Sequence, residues 1–80
     1  MQFDTSMVGK TIRKIRKKRR LSQEALSGLA GIARTHLTMI ENGSKLANLE
    51  TLYRIAQALD MRLSDLIRLA EDDFLLYEDN

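Results

Sequence analysis

The 80-residue chain has no cysteine, no proline and no tryptophan, and only two phenylalanines and two tyrosines. Without cysteine there is no disulfide and no thiolate metal site, and the single histidine, His36, cannot build an imidazole cluster, so no metal is expected. The missing proline, set beside a wealth of Leu, Ile, Ala and Met, suits helices better than strands. No apolar run approaches the roughly 20 residues that span a bilayer, and no apolar core follows the basic stretch near the start as it would in a signal peptide. The expectation is a soluble, unprocessed chain with no membrane role, compatible with a reducing, cytoplasmic setting. Catalytic groupings are absent too. Glu71, Asp72, Asp73 and Asp79 cluster without partners of fixed geometry, and Ser22 and Ser27 have no positioned base. One modest core and no catalytic set favour a binding module over an enzyme, and no cofactor is implied.

Charge is what the chain has, and it is segregated. Residues 9–45 carry ten Lys or Arg against Glu24 and Glu41, a net +8. Residues 46–80 carry three Arg against eight acids, a net −5, and Asp4 supplies the remaining −1 of the overall +2. A concentrated basic section is what binding to a phosphate backbone requires, because each neutralised phosphate releases condensed counterions.

Periodicity predicts five helices. The first covers residues 6–19, with Val8, Ile12 and Ile15 facing a core. Ser22 has the character of an N-cap for a short helix over residues 23–30, in which Ala25, Leu26, Leu29 and Ala30 are apolar, and Gly31 stands where a left-handed residue would end it. Ile32 and Ala33 separate it from a third helix, residues 34 to 41 or 42, with Leu37 and Ile40 inward and Asn42-Gly43 as the stop. Asn48 caps a fourth helix whose stripe is Leu49, Leu52, Ile55, Ala56 and Leu59, and Ser64 caps a fifth with Leu66, Ile67, Leu69 and Ala70. An acidic tail, residues 71–80, follows around Phe74-Leu75-Leu76-Tyr77. The whole reads as one all-α domain, with no repeat or linker.

Two short helices joined by a tight glycine turn form the unit that lays its second helix in the DNA major groove. With Leu37 and Ile40 buried, Thr35, Thr38, Met39 and Asn42 fall on the opposite face, and Arg34 sits at the end that reaches deepest. An Arg there can bond O6 and N7 of guanine, while a Thr methyl or Met can press on a thymine methyl. Arg34, Thr35, Thr38 and Met39 are therefore the candidate base contacts, although Met39 is also open to a core reading. The segments IRKIRKKRRLSQEAL, GIARTHLTMIENG and LETLYRIAQALDMRLSDLI resemble the small helix-turn-helix regulators of the lambda-repressor and Cro type, the XRE family, over residues 9–69. The resemblance implies a compact five-helix fold with residues 22–42 as the helix-turn-helix. It implies that Gln23 binds a phosphate, that Asn42 and the Lys45 loop meet the backbone, and that Arg16 pairs with Glu41 as a structural ion pair. Ala47 stands where the family often has Pro, Ser27 where it usually has Ala, and Ala33 where a capping Ser or Thr is common. The Arg34-Thr35-His36-Leu37 segment is further similar to the version found in restriction-modification controller proteins.

Other residues keep two readings. Residues 13–20 are either the solvated face of a helix, with a likeness to a nuclear localisation stretch, or the flank of a phosphate backbone. His36 is a surface histidine or reaches a phosphate or sugar, and Ser22 joins Gln23 among the backbone contacts. The functional expectation is a transcriptional regulator binding double-stranded DNA as a homodimer on an inverted-repeat operator, with Leu63, Ile67 and Leu69, joined by the Phe74-to-Tyr77 cluster, as the dimer surface. The alternative is an antitoxin whose acidic tail binds a protein partner and whose helix-turn-helix represses its own operon.

Overall fold

The computed structural model describes residues 2–78, with side chains described through residue 76. Among these, five helices and no strand are present: α1 (Ser6–Lys18), α2 (Gln23–Ala30), α3 (Arg34–Glu41), α4 (Leu49–Ala58) and α5 (Leu63–Glu78). This is the all-α, five-helix architecture that the periodicity predicts.

Helix ends follow local chemistry. The Ser22 hydroxyl accepts from the Ala25 N–H at 2.9 Å, and Asn48 Oδ1 accepts from the Thr51 N–H at 2.8 Å, so α2 and α4 are side-chain capped. Ala33 supplies no such bond to α3, because it has no polar side chain. Gly31 is left-handed at φ 71°, and behind it the Ile32 N–H reaches the Ser27 carbonyl, closing α2 so sharply that α3 starts three residues later. The same closure ends α1 and α4 with non-glycine residues, Arg20 and Asp60, both at φ 57°.

The core comprises Ile12, Ile15, Leu26, Ala30, Leu37, Ile40, Leu52, Ile55, Ala56, Leu59 and Leu66, so every helix contributes. Helix α1 lies against α3 and α5, α2 against α3 and α4, and α4 against α5. Closeness of α1 to α3 depends on Gly9, where a Cβ would overlap the Ile40 carbonyl.

Three expectations are corrected. Leu49, placed on the buried stripe of α4, is 68% exposed, because it occupies the first helical residue and overhangs the end of the core. Ser64 is not a cap. It lies inside the first turn of α5, and the carbonyl that accepts the first helical N–H, from Leu66, is that of Arg62. Residues 71–78 are not a separate tail but the continuation of α5; Asp79 and Asn80 of that tail lie outside the described residues. The continuation is held from outside, because Phe74 is buried and meets the Phe3 ring edge-on at 5.0 Å between centroids.

Candidate nucleic-acid interface

Helix α3 is anchored by Leu37 and Ile40, both buried, which turns Arg34, Thr35 and Met39 outward. Arg34 and Thr35 are exposed at its first turn, and Met39 is 43% exposed, which places it on the outer face rather than in the core. With its side chains an α-helix is about 10–12 Å across, which fits a major groove about 12 Å wide. His36 is half-buried on the flank of this face.

Thr38 has a different setting from its neighbours. Its hydroxyl lies 3.0 Å from both Gln23 Oε1 and the Arg34 carbonyl, so it is bound within the protein. Gln23 then donates from Nε2 to Glu41 Oε1 at 3.1 Å. Glu41, with only 2% of its side chain exposed, receives Arg16 Nε on Oε2 at 2.8 Å and Arg16 Nη2 on Oε1 at 2.9 Å. The third guanidinium nitrogen, Nη1, donates to the Leu21 carbonyl at 2.8 Å. Hydrogen bonding to Glu41 outweighs the desolvation that opposes it and raises the Arg16 pKa above its ordinary value. The chain of bonds ties the end of α1, the start of α2 and both ends of α3 into one rigid unit. A base-reading helix needs that rigidity, because its side chains must meet base edges in a fixed register.

Residues assigned to the DNA backbone ring this helix. Ser22, at the start of α2, uses its oxygen as a cap and keeps its O–H as a donor. Gln23 uses one of its two Nε2 hydrogens on Glu41. Asn42 accepts the Ser44 N–H on Oδ1 at 2.9 Å, which fixes the turn after α3, and the Lys45 N–H is tied to the Met39 carbonyl at 3.2 Å. Lys45 is exposed at the far end of the same face. Lys45 and the amides of Gln23 and Asn42 thus flank α3, while α4 and α5 carry most of the acids.

Sequence reasoning missed one polar cluster entirely. Asp73 of α5 accepts from the buried Thr11 hydroxyl at 2.7 Å and from Lys14 Nζ at 2.7 Å. Burial alone would raise the Asp73 carboxyl, but the hydrogen bonds from Lys14 and Thr11, with the nearby charges of Lys14 and Lys18, bring it below its ordinary value. The signal available was slight: Thr11 precedes Ile15 by four residues and so shares its buried face.

The dimer candidates are divided by the fold. Leu63 is half-buried against its own core, whereas Ile67 and Leu69 are exposed. Two residues apart on a helix, Ile67 and Leu69 point about 200° from each other. Of the cluster at 74–77, Phe74 is taken up internally, Leu75 and Leu76 are exposed, and the side chain of Tyr77 lies outside those described.

A capped helix, a glycine turn and an outward-facing second helix, braced by a buried ion pair, define a helix-turn-helix DNA-binding domain. Comparison with known proteins agrees: the helix-turn-helix family matches residues 12–66. The chain belongs to that family, whose members are the regulators of the lambda-repressor and Cro type. It is 36% identical over 62 residues to the ImmF control region 10 kDa protein of Bacillus phage phi105, covering 78% of this chain and 69% of that one. It is 30% identical over 63 residues to an uncharacterised helix-turn-helix-type transcriptional regulator of Sinorhizobium fredii, covering 79% of this chain and 32% of the relative. The match thus spans about a third of the Sinorhizobium protein's length. Among solved structures, the restriction-modification controller protein C.AhdI from Aeromonas hydrophila superimposes with a TM-score of 0.75 at 32% identity, over 79% of this chain and 96% of that one. Among the described residues, no helix is long and apolar enough to cross a membrane.

Proposed function

We propose that the protein is a transcriptional regulator that binds an inverted-repeat operator in double-stranded DNA as a homodimer. The observation that carries this reading is the exposed row Arg34, Thr35 and Met39 on a helix braced from behind by the Arg16–Glu41 pair. Arg34, Thr35 and Met39 read base edges, while Thr38, bound to Gln23, contributes its methyl group and positions the row. Ser22, Gln23, His36, Asn42 and Lys45 hold the phosphate backbone.

A dimer is favoured by size. The molecule measures 35 × 23 × 21 Å and contains one such helix, so one copy occupies one half-site. Two half-sites lie about 34–36 Å apart, one turn of the duplex. The Ile67 flank of α5, with Leu63 beside it, is the surface assigned to the partner copy. The likeness to C.AhdI favours control of a restriction-modification operon as the particular role. The antitoxin reading receives less support, because the acidic segment is helical through residue 78 and held through Asp73 and Phe74, whereas a tail that folds on binding a partner starts disordered.

Selection of binding sites from random duplex DNA tests the proposal. The expected result is a two-fold symmetric consensus with half-site centres about 10–10.5 base pairs apart, or a multiple of that. Recovery of no consensus would refute sequence reading, and a lone unpaired half-site would refute the dimer.

A further inference from the structure

Beside the recognition helix, α1 borders a groove lined by Lys10, Arg13, Lys14, Lys17, Glu41 and Asn42. The groove runs off the C-terminal end of α3, where the helix dipole presents negative charge. A phosphate strand passing that end would be repelled unless cations offset it. The structure divides the cations of α1 by partner. Lys14 is engaged by Asp73, reaching from α5 at 2.7 Å. Glu41, the carboxylate of the groove, is saturated by Arg16 and Gln23 and almost fully buried, so it neither neutralises the groove nor competes for its cations. Arg13 and Lys17 are exposed, and neither pairs with a carboxylate among the described residues. Four residues apart on α1, they stand one above the other, with Cβ atoms about 5–6 Å apart.

We propose that this groove is a second phosphate-binding track, in which Arg13 and Lys17, with the Asn42 amide at its edge, hold the DNA backbone beyond the C-terminal end of the recognition helix, while Asp73 withholds Lys14 from it. The inference rests on the DNA-binding reading and adds to it which basic residues of α1 serve that reading. Flexible cations without planar partners fit a phosphodiester chain and carry no base preference.

The test is the salt dependence of binding to a duplex selected by the wild-type protein. Each phosphate contact contributes about 0.9 to the slope of log K against log salt concentration, so R13A/K17A should lower that slope by about 1.8 and leave the ranking of duplex sequences unchanged. Lys14→Ala should keep the wild-type slope. Helical content and melting temperature of each variant confirm that it is folded, which exposed positions on a long helix allow. An unchanged slope in R13A/K17A, or an equal drop in Lys14→Ala, would overturn the assignment. So would a shift of the monomer–dimer midpoint at unchanged slope, which would give the groove to the acidic Glu71 and Asp72 of a second copy. A wild-type protein that binds no duplex would instead remove the DNA reading itself, which keeps the two failures distinguishable.

Discussion

Glu41 accepts three hydrogen bonds, two from Arg16 and one from Gln23, in a setting that water scarcely reaches. Removing its charge leaves the guanidinium buried without a counterion, and breaking a buried pair in this way costs about 3–5 kcal/mol. Glu41→Gln should therefore lose that much of the free energy of urea unfolding, a large share for a domain of this size; a loss below about 1 kcal/mol would show the pair to be idle. Asp73 makes a pH prediction. Its carboxyl sits below its ordinary value when folded, so the unfolded chain binds the proton more readily. The stabilisation is complete above the unfolded pKa, about 3.9, and disappears as pH falls through the lower folded value. Asp73→Asn should flatten the acid side of the melting-temperature profile in that window, and a profile identical to wild type would contradict it. Not all of this was legible in the sequence. The spacing of Leu37 and Ile40 put Thr35 and Met39 on the opposite face, with Arg34 at the helix start, although for Met39 it left a core reading open. The Arg16–Glu41 pair came from a family resemblance, and the Thr11–Asp73 bond joins residues 62 apart, a separation that local periodicity does not span.

At the scale of the elements, caps and turns were the most readable features, because Ser22, Asn48 and Gly31 act through bonds to their own neighbours. Element ends that depend on distant packing were less so. α5 runs on past residue 70 because Asp73 and Phe74 find partners on α1 and the N-terminal segment, and nothing in the composition of an acidic stretch announces those partners. Gly9 belongs to the same category. In sequence it is a poor helix former near a helix start, whereas in the fold it lets α1 lie directly on the Ile40 carbonyl. Gly9→Ala gains helix propensity of roughly 1 kcal/mol but must push α1 off α3. Overpacking against backbone should outweigh that gain and leave the protein less stable by about 1–3 kcal/mol. Thermal melting of the variant checks this, and a raised melting temperature would show that the two helices separate without cost.

The whole molecule is polar in charge as well as in role. Its basic part, residues 9–45, holds α2, α3 and all but the first three residues of α1, and its acidic part holds α4 and α5. The helix offered to DNA therefore leads with positive charge, which steers approach to the duplex, while the acidic half discourages docking the other way round. Base reading by α3 remains the claim on which the functional account turns, and binding of Arg34→Ala and Lys45→Ala to the selected duplex and to single-base variants of it tests that claim most directly. Arg34→Ala should cost about 1–3 kcal/mol on the selected duplex and lose discrimination at one base pair, while Lys45→Ala should weaken all sequences alike. Undiminished discrimination by Arg34→Ala at every position would contradict the placement of α3 as the reading helix.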